Sequence, residues 1–489
     1  MPLIGLDIGT STTKAILMSP DGGVIQSHSG EYPIDSPHPG WAEQDPEAWV
    51  TQAKNCLGVV AAGHRDAVKG LSLSGQMHGV VLLGEDQRPL RPAIIWADQR
   101  SADALEEIAS RYPREVLGQT ILNRPAAGFG LATLVWLRNH EPDILRKTRT
   151  VLAAKDYVRF RLTGVLGQEV SDASGTTCLD VRKGDWAFDI LSGLGLPDRI
   201  FPKISGSLDP AGEINADAAR DTGLRPGTPV FFGGADNGCA GIGSGLTEDG
   251  CLGINIGTGG QVGVAASEPY YDPEYRLSVF NHSIPGRFNI FGASLAAGLS
   301  LKWLRDTFFP GRPFAELSAL AARAQPGAGG LLFVPYLAGE RTPWFDPGAR
   351  GQLFGLSLSH GAPEICRAVM EGVTYALEQS FALLVQAGVK PRRLLSLGGG
   401  AKSEIWPRIQ ADVFGMPLET AAAGDACTGA AILAGVGAGI YPDISAGVKA
   451  AVRPPREKFD PDPTRHAFYQ GRREAFRELY LRTRDLATT

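Results

Sequence analysis

The hydrophobic positions of this chain fall into short apolar runs separated by longer helical patterns. Val80 to Leu83, Ile94 to Trp96, Pro229 to Phe232 and Leu394 to Leu397 have the length and composition of buried strands. Glu364 to Val385 is the longest stretch with the periodicity of a helix. Strands that alternate with helices in this way indicate an α/β architecture.

A further amphipathic helix is predicted at the C-terminal end, from Pro463 to Leu486. Many charged residues surround a set of apolar side chains that would face a core. These side chains are Phe468, Tyr469, Phe476, Leu479 and Tyr480.

One short motif occurs twice, as GLDIGT at 5–10 and as GINIGT at 253–258. Each copy predicts a strand that runs into a Gly-Thr turn and then a second strand, Thr13 to Met18 in one case and Gln261 to Ala265 in the other. The repetition predicts two related halves.

Between the two halves lies the glycine-rich stretch Gly241 to Gly245, which has the backbone freedom of a connector. We therefore expect a first domain at 1–245 and a second at 246–489. A length of 489 residues with 43% apolar content also favours two large domains over one.

Composition excludes several classes of partner. The 47 basic and 52 acidic residues give a net charge of −5 without a long run of one sign, so no nucleic-acid or membrane partner is expected. The six cysteines are scattered, which argues against a zinc site or a disulfide framework. The N-terminus lacks the pattern of a signal peptide, and we expect a cytoplasmic protein.

The first copy of the repeated motif continues as DIGTSTTK, from Asp7 to Lys14. A strand that ends in a glycine turn with hydroxyls and a cation allows backbone N–H groups and side chains to approach phosphate oxygens. An ordinary β-hairpin would explain one such loop equally well. Two loops, one in each half, are better explained by a shared polyphosphate ligand.

A third glycine-rich loop, from Gly398 to Lys402, follows an apolar strand and would let a base or ribose lie flat against the backbone. A simple strand-to-helix connection is the alternative. The small-residue segment from Gly424 to Ala431 would form a second wall of the same site.

These motifs resemble the FGGY family of carbohydrate kinases. The resemblance covers nearly the whole chain, and it implies two ribonuclease-H-like domains of the actin-like ATPase superfold on either side of a deep cleft, with ATP and Mg²⁺ as cofactors. Besides the loops above, the matching segments are Gly234 to Asn237, Gly257 to Gly259 and Gly355 to Glu371.

Within that family, Ser74 to Gly79 is similar to the segment of members that phosphorylate D-xylulose rather than glycerol. Pro39 to Pro46, Ile95 to Arg100 and Ser171 to Gly175 agree with this assignment, as does Lys155 to Tyr157. The sequence departs from many members at Gly259, where a serine is common, at Ala97 and in the region of Phe129.

The resemblance implies a role for Asp236 as the base that takes the proton of the sugar hydroxyl. A cap on the following helix is the alternative role for this aspartate. Asp7 and Asp236 would be near Mg²⁺. The implied sugar-binding residues are Gln76, Met77, His78, Trp96, Asp98, Arg100, Asp236 and Asn237. The implied ATP-binding residues are Thr10, Ser11, Thr12, Lys14, Gly257, Thr258, Gly259, Gly298, Lys302, Gly399, Gly400, Ala401 and Lys402.

The sequence leaves alternative functions open. Another ketopentose, or a polyol such as xylitol or glycerol, could replace D-xylulose as substrate. A protein of a different class, an actin-like ATPase that clamps a protein partner, would need no sugar pocket. A homodimer is a further expectation.

Overall fold

The computed structural model describes residues 1–421 and 425–486. The strands of the first half are β1 Leu3–Ile8, β2 Thr12–Met18, β3 Val24–Glu31, β4 Glu43–Gln44, β5 Gly70–Gly75, β6 Val81–Leu83, β7 Ala93–Ile94, β8 Thr150–Leu152, β9 Gln168–Glu169, β10 Leu179–Asp180, β11 Asp185–Trp186, β12 Ile204–Ser205, β13 Pro210–Glu213 and β14 Pro229–Ala235. Its helices are α1 Pro46–Val60, α2 Ala104–Arg111, α3 Arg114–Ile121, α4 Gly130–His140, α5 Pro142–Lys147, α6 Ala154–Thr163, α7 Val170–Gly175, α8 Phe188–Gly193, α9 Ala216–Thr222 and α10 Asp236–Gly243.

The second half has the same mixture of elements. Its strands are β15 Cys251–Ile256, β16 Gly260–Ala266, β17 Ser278–Asn281, β18 Phe288–Ser294, β19 Leu332–Val334, β20 Gln352–Phe354, β21 Arg393–Gly398, β22 Leu418–Thr420 and β23 Lys458–Phe459. Its helices are α11 Gly298–Phe308, α12 Phe314–Arg323, α13 Ala362–Gln386, α14 Trp406–Phe414, α15 Ala426–Gly437, α16 Ile444–Ala451 and α17 Pro463–Thr483.

Strand order in the first sheet is β13-β14-β5-β1-β2-β3. β1, β5 and β14 are parallel, whereas β1, β2 and β3 form an antiparallel meander. Ligand-binding groups in such sheets lie beyond the carboxyl ends of the parallel strands. Asp7 at the end of β1, Gln76 after β5 and Asp236 after β14 therefore meet at one edge.

The second sheet repeats this plan in the order β17-β18-β16-β15-β21-β22-β23. β15 and β16 form the antiparallel hairpin, and β15, β21 and β22 are parallel. The two copies of the repeated motif thus occupy equivalent hairpins, as the sequence predicts. Asp7 pairs with Lys14 across the first hairpin, and Asn255 pairs with Gln261 across the second.

The two halves are joined by close helix packing, and this corrects the expected role of the glycine-rich stretch. Gly241 to Gly243 belong to α10 and are not a flexible connector. A Cβ on Gly243 would lie 2.2 Å from the carbonyl oxygen of Asp425, and one on Gly429 would lie 1.9 Å from that of Cys239. These glycines let α10 and α15 approach closely. The division at residue 245 stays a prediction.

Helix α15 also packs on the first sheet, although it lies in the second half of the sequence. A Cβ on Gly5 of β1 would be 1.8 Å from the carbonyl oxygen of Cys427. Leu3, Phe231 and Ile432 share one buried apolar cluster at this contact. The base of the cleft is therefore a packed core.

Two further expectations need correction. The predicted strand from Ile94 to Trp96 ends at Ile94, because the N–H of Asp98 donates to the carbonyl of Ile95 and closes a turn. The C-terminal helix begins at Pro463 as predicted, but Phe468 is 47% exposed while the other four predicted core residues are buried. No helix in 1–421 or 425–486 is long and apolar enough to cross a membrane.

Candidate active site

Asp236 is the first residue of α10 and directly follows β14. The N-cap position of this helix belongs to Ala235, and within the described residues the Asp236 carboxylate accepts only the adjacent N–H of Asn237, at 2.6 Å. A capping side chain instead bonds the second or third N–H of the helix. The capping role is therefore not the one this geometry provides.

The environment of Asp236 raises its pKa from 3.8 to about 7. Burial is the largest cause, the negative charge of Asp7 adds to it, and the N–H of Asn237 opposes it. A carboxylate with a pKa near the working pH can accept a proton and release it again. This is the property that a general base requires.

Asp7 offers a buried oxygen to a cation. Its Oδ1 atom is buried and has no hydrogen-bond partner among the described residues, and burial raises its pKa. No cluster of three or more histidine, cysteine or acidic residues suitable for a metal occurs in the part of the chain that the structure describes. Mg²⁺ commonly binds one or two carboxylates together with waters and substrate phosphates, which fits Asp7 beside Asp236.

The first loop predicted to bind phosphate, at 9–12, is a tight turn closed by a hydrogen bond from the N–H of Gly9 to the carbonyl of Thr12, at 2.9 Å. Ser11 is exposed, and the Thr10 hydroxyl accepts a hydrogen bond from the Trp96 indole at 3.0 Å. Lys14 forms an ion pair with Asp425, the N-cap of α15. The tip of the loop at Ser11 is therefore accessible to solvent, and the strand that follows the loop is linked to the second half through Lys14.

The second loop predicted to bind phosphate, at 257–259, lies against the start of α11. The N–H of Gly298 donates to the carbonyl of Gly257 at 2.9 Å, and the N–H groups of Ala297 and Leu299 donate to that of Thr258 at 3.1 and 3.0 Å. The Thr258 residue is exposed. Lys302 pairs with Asp306 one turn along α11, at 2.6 Å, so its cation is already partnered.

The third glycine-rich loop, from Gly398 to Lys402, packs closely against β15. A Cβ on Gly398 would be 2.5 Å from Asn255 Oδ1, and one on Gly400 would be 2.7 Å from Ile256 Cβ. A cavity of about 660 Å³ opens here, and Gly398, Gly399, Ala401, Lys402 and Asn255 are among its lining residues.

Asn237 lines the same cavity, and its contact with the sugar stays a prediction. Gly424, the first residue of the predicted second wall, lies outside the described residues.

The segment Gln76-Met77-His78 presents a set of polar atoms suited to hydroxyl groups. Gln76 donates to Gln44 at 2.9 Å and keeps a buried carbonyl oxygen without a partner in the described chain. Met77 is buried. His78 lies 2.6 Å from the carbonyl of Gly175 through Nδ1, which must therefore carry the proton, and leaves Nε2 as an acceptor.

His78 is held in an unusual position. Its φ is 75°, and its ring stacks on Phe129 with the centroids 3.8 Å apart. Burial lowers its pKa to about 4, with a smaller contribution from the charge of Arg341. The imidazole is therefore neutral at physiological pH, and a hydroxyl can donate to it.

Asp98 and Arg100 are paired with each other in the protein interior, and their contact with the sugar stays a prediction. Asp98 is fully buried and binds the guanidinium of Arg100 through both oxygens, at 2.8 to 3.0 Å. Arg100 also bonds Glu43 at 2.6 Å and stacks over Trp41 at 3.4 Å. These contacts compensate the burial of both charges.

The second half completes this pocket in a way that the sequence did not reveal. Phe280 and Phe291, from β17 and β18, pack with Met77 and Ala235, and Phe129 borders the same cluster. In the sequence, one phenylalanine on each of two neighbouring strands predicts only that both side chains are buried in a core. Their contact with the first half depends on the tertiary fold.

The segment from Ser171 to Gly175 packs against the end of β14, directly before Asp236. The Ser171 hydroxyl donates to Glu169 at 2.6 Å and accepts the N–H of Ala235, which precedes Asp236, at 2.9 Å. Lys155 lies 3.1 Å from Asp172 in the same buried network. These residues fix the strand end that carries Asp236.

Comparisons with known proteins agree with this arrangement. Residues 2–243 match the N-terminal domain of the FGGY family of carbohydrate kinases, and residues 252–438 match its C-terminal domain. The chain is 37% identical over 492 residues to a xylulose kinase of Bacillus subtilis (strain 168), covering 99% of this chain and 98% of the relative. It is 37% identical over 482 residues to a xylulose kinase of Escherichia coli (strain K12), covering 98% of each.

The fold has a solved counterpart. The crystal structure of xylulose kinase from Rhodospirillum rubrum superposes with a TM-score of 0.94 at 32% identity, and all of both chains is covered. The predicted two-domain architecture of the actin-like superfold is thereby confirmed. With both family domains matched and the cleft residues brought together as described, the chain belongs to the FGGY family of carbohydrate kinases and is a sugar phosphotransferase.

Proposed function

We propose that this protein transfers the γ-phosphoryl group of ATP to D-xylulose, giving D-xylulose 5-phosphate and ADP, with Asp236 as the general base. The observation that carries the proposal is the position of Asp236 after β14, at the same sheet edge as Gln76 after β5 and Asp7 on β1, where burial and the charge of Asp7 raise its pKa to about 7. The curated xylulose kinases to which the chain is similar support the choice of sugar.

Each part of the cleft has a task in this reaction. Gln76 and the neutral His78 accept hydrogen bonds from sugar hydroxyls, while Met77 and Phe129 form an apolar wall. Fixed acceptors and walls hold the reacting hydroxyl in line with the phosphoryl group, which is the main requirement of phosphoryl transfer. Asp236 then takes the hydroxyl proton as the new oxygen–phosphorus bond forms.

The nucleotide would bind on the side of Asp7 that faces away from the sugar. Backbone N–H groups of the two loops at 9–12 and 257–259 and the hydroxyls of Thr10 and Thr258 would face the phosphates. The base and ribose would lie along Gly399, Gly400, Ala401 and Lys402. Asp7 would hold Mg²⁺ together with waters and phosphates, with Asp236 near the ion but free to take the hydroxyl proton, and the ion would neutralise phosphate charge when bound.

The remaining expectations follow from this assignment. An actin-like clamp without sugar chemistry is not favoured, because the chain belongs to the carbohydrate kinases and provides acceptors for hydroxyls. We expect the enzyme to act in the cytoplasm, where ATP is abundant. Homodimer formation stays a prediction.

A substrate panel tests the proposal. ADP release would be measured with D-xylulose, D-ribulose, xylitol and glycerol, and the phosphorylated carbon would be identified by NMR. We expect the highest kcat/KM for D-xylulose and phosphate at its C5 hydroxyl. Preference for another acceptor, or no phosphorylation of any of the four, would overturn the assignment.

An Asp236→Ala variant tests the role of the base. It should lose sugar phosphorylation while it still binds ADP, as measured by calorimetry, because the carboxylate acts on the hydroxyl and not on the nucleotide. Near-normal turnover would contradict this role.

A further inference from the structure

The loop at 340–346 fixes Arg341 against the end of β18. On one side of it, the Glu340 carboxylate accepts hydrogen bonds from the Ser294 hydroxyl at 2.7 Å and from the N–H of Leu295 at 3.1 Å. On the other side, the N–H of Thr342 donates to the carbonyl of Ala293 at 2.9 Å. Glu340 and Thr342 are both buried, so the backbone of Arg341 has little freedom.

The end of β18 lies between the second phosphate loop and the sugar pocket. Ser294 pairs with Gly260, and a Cβ on Gly259 would lie 2.9 Å from the carbonyl oxygen of Ser294. Its neighbour Ala293 packs against the aromatic cluster that contains Met77. A side chain that projects from the adjacent loop is therefore near both the phosphates and the sugar.

The Arg341 guanidinium has no partner within 1–421 or 425–486. It is exposed and forms no ion pair or side-chain hydrogen bond with any described residue. In contrast, Arg276, whose carbonyl accepts the Thr342 hydroxyl, binds the Asp272 carboxylate with its own guanidinium at 3.0 Å. The charge of Arg341 also reaches the sugar pocket, because it contributes to the low pKa of His78.

We propose that Arg341 binds the phosphoryl group while it is transferred from ATP to the sugar. A guanidinium presents parallel N–H donors that match two phosphate oxygens, and such contacts are strongest where negative charge is concentrated in the transition state. This inference rests on the proposed function and adds a residue of the second half to the catalytic set.

In the transfer step, the bond between the γ-phosphorus and the β,γ-bridging oxygen breaks and its electron pair leaves with ADP. The sugar hydroxyl oxygen forms the new bond to phosphorus, and its proton passes to the Asp236 carboxylate. Arg341 exchanges no proton or electron. It stabilises the charge on the non-bridging oxygens of the group in transit.

The test compares Arg341→Ala and Arg341→Lys with a matched control, Arg350→Ala. Arg350 is exposed on the same loop region and, in the part of the chain that the structure describes, bonds only to backbone carbonyls, at 3.0 and 2.9 Å. We expect Arg341→Ala to lower kcat by about 10²-fold or more, with the KM values for ATP and D-xylulose little changed. Arg341→Lys should be intermediate because it keeps the charge but loses the paired donors, and Arg350→Ala should match the wild type.

A binding experiment separates this role from a structural one. MgADP with aluminium fluoride and D-xylulose mimics the group in transit, and its affinity would be measured by calorimetry beside that of MgADP alone. Arg341→Ala should weaken the mimic by a factor similar to its loss in kcat and leave MgADP binding unchanged. An unchanged kcat, a rise in the KM for the sugar alone, or equal losses for MgADP and the mimic would each overturn the proposal.

A failure of the role proposed for Arg341 can be distinguished from a failure of the proposed sugar substrate. ATP hydrolysis without sugar uses water as the acceptor of the same phosphoryl group. If the wild type phosphorylates no sugar of the panel, the proposed function fails, but a slower ATP hydrolysis in Arg341→Ala still supports the role of Arg341. Equal hydrolysis rates in the wild type and this variant would refute it.

Discussion

Replacing Asp236 with Asn should inactivate the enzyme and stabilise the fold at alkaline pH. Asn has nearly the same shape, but it accepts no proton and places no charge beside Asp7. Loss of a general base lowers the rate by about 10²- to 10⁴-fold. The same variant thus tests catalysis and stability together.

The magnitude of the stability effect follows from the pKa of Asp236, which is raised from 3.8 to about 7. The folded state binds this proton more tightly than the unfolded state does, so the contribution to stability is largest below pH 3.8 and is lost as the pH rises to about 7. At about 1.4 kcal/mol for each pKa unit, the shift corresponds to an upper limit of about 4 kcal/mol. Asp236→Asn should regain part of this amount at pH 8.5 and little of it near pH 4.

The pH dependence of the wild-type rate follows from the same pKa. The kcat/KM for D-xylulose should rise with pH through about 7, because only the ionised carboxylate accepts the hydroxyl proton. At one pH unit below the pKa, roughly a tenth of the molecules carry the base in its active form, and kcat/KM should be about tenfold below its plateau.

Two assays check these expectations. Urea unfolding of the wild type and of Asp236→Asn at several pH values gives the difference in free energy, and a coupled ADP assay gives kcat/KM over the same range. Asp217→Asn is the matched control, since Asp217 is exposed and its pair with Arg220 lies on the surface. A free-energy difference that does not vary with pH, or a kcat/KM that is flat from pH 5.5 to 8.5, would refute the reasoning.

Three further substitutions test other parts of the site. Asp7→Asn should shift the rise in kcat/KM to lower pH, measured in the same coupled assay, because it removes a charge that raises the pKa of Asp236. His78→Asn, which tolerates the positive φ, should weaken D-xylulose binding in calorimetry and leave ADP binding unchanged. Gly429→Ala should lower the free energy of unfolding by about 1–3 kcal/mol, because its Cβ would meet the Cys239 carbonyl oxygen at 1.9 Å.

Each of these substitutions has a contrary outcome. A pH profile unchanged in Asp7→Asn would mean that the two carboxylates do not interact. Equal losses of sugar and ADP binding in His78→Asn would mark His78 as structural. Gly471→Ala is the control for Gly429→Ala, since nothing lies within 4 Å of the added Cβ in α17. The control substitution should be neutral or stabilising. Equal effects of the two substitutions on the free energy of unfolding would contradict close packing of α10 and α15.

The sequence by itself determined the parts of the protein that depend on local pattern. The repeated GLDIGT and GINIGT segments predicted two strand–turn–strand units, and both occur at equivalent places in the two sheets. The position of Asp236 after an apolar strand predicted a ligand group at a sheet edge, and the long helix from Ala362 differs from the predicted one by only a few residues. Hydrophobic periodicity and turn residues act over short distances along the chain, so they can be read directly.

Only the tertiary structure decided which polar groups are free to act. Asp98 and Arg100 are as polar as Asp7 and Arg341, but the first two neutralise each other in the protein interior. An oxygen of Asp7 and the guanidinium of Arg341 have no partner among the described residues. The difference depends on contacts between distant segments, which a single sequence does not display.

The pKa of Asp236 and the closing wall of the sugar pocket were decided in the same way. Burial and the charge of Asp7 arise because β1 and β14 end at one edge of the sheet, and Phe280 reaches Met77 because the two halves pack together. Electrostatic and packing energies depend on distance in space and not on separation along the chain. The sequence therefore predicts which groups are candidates for the reaction, whereas their ionisation and their partners depend on the fold.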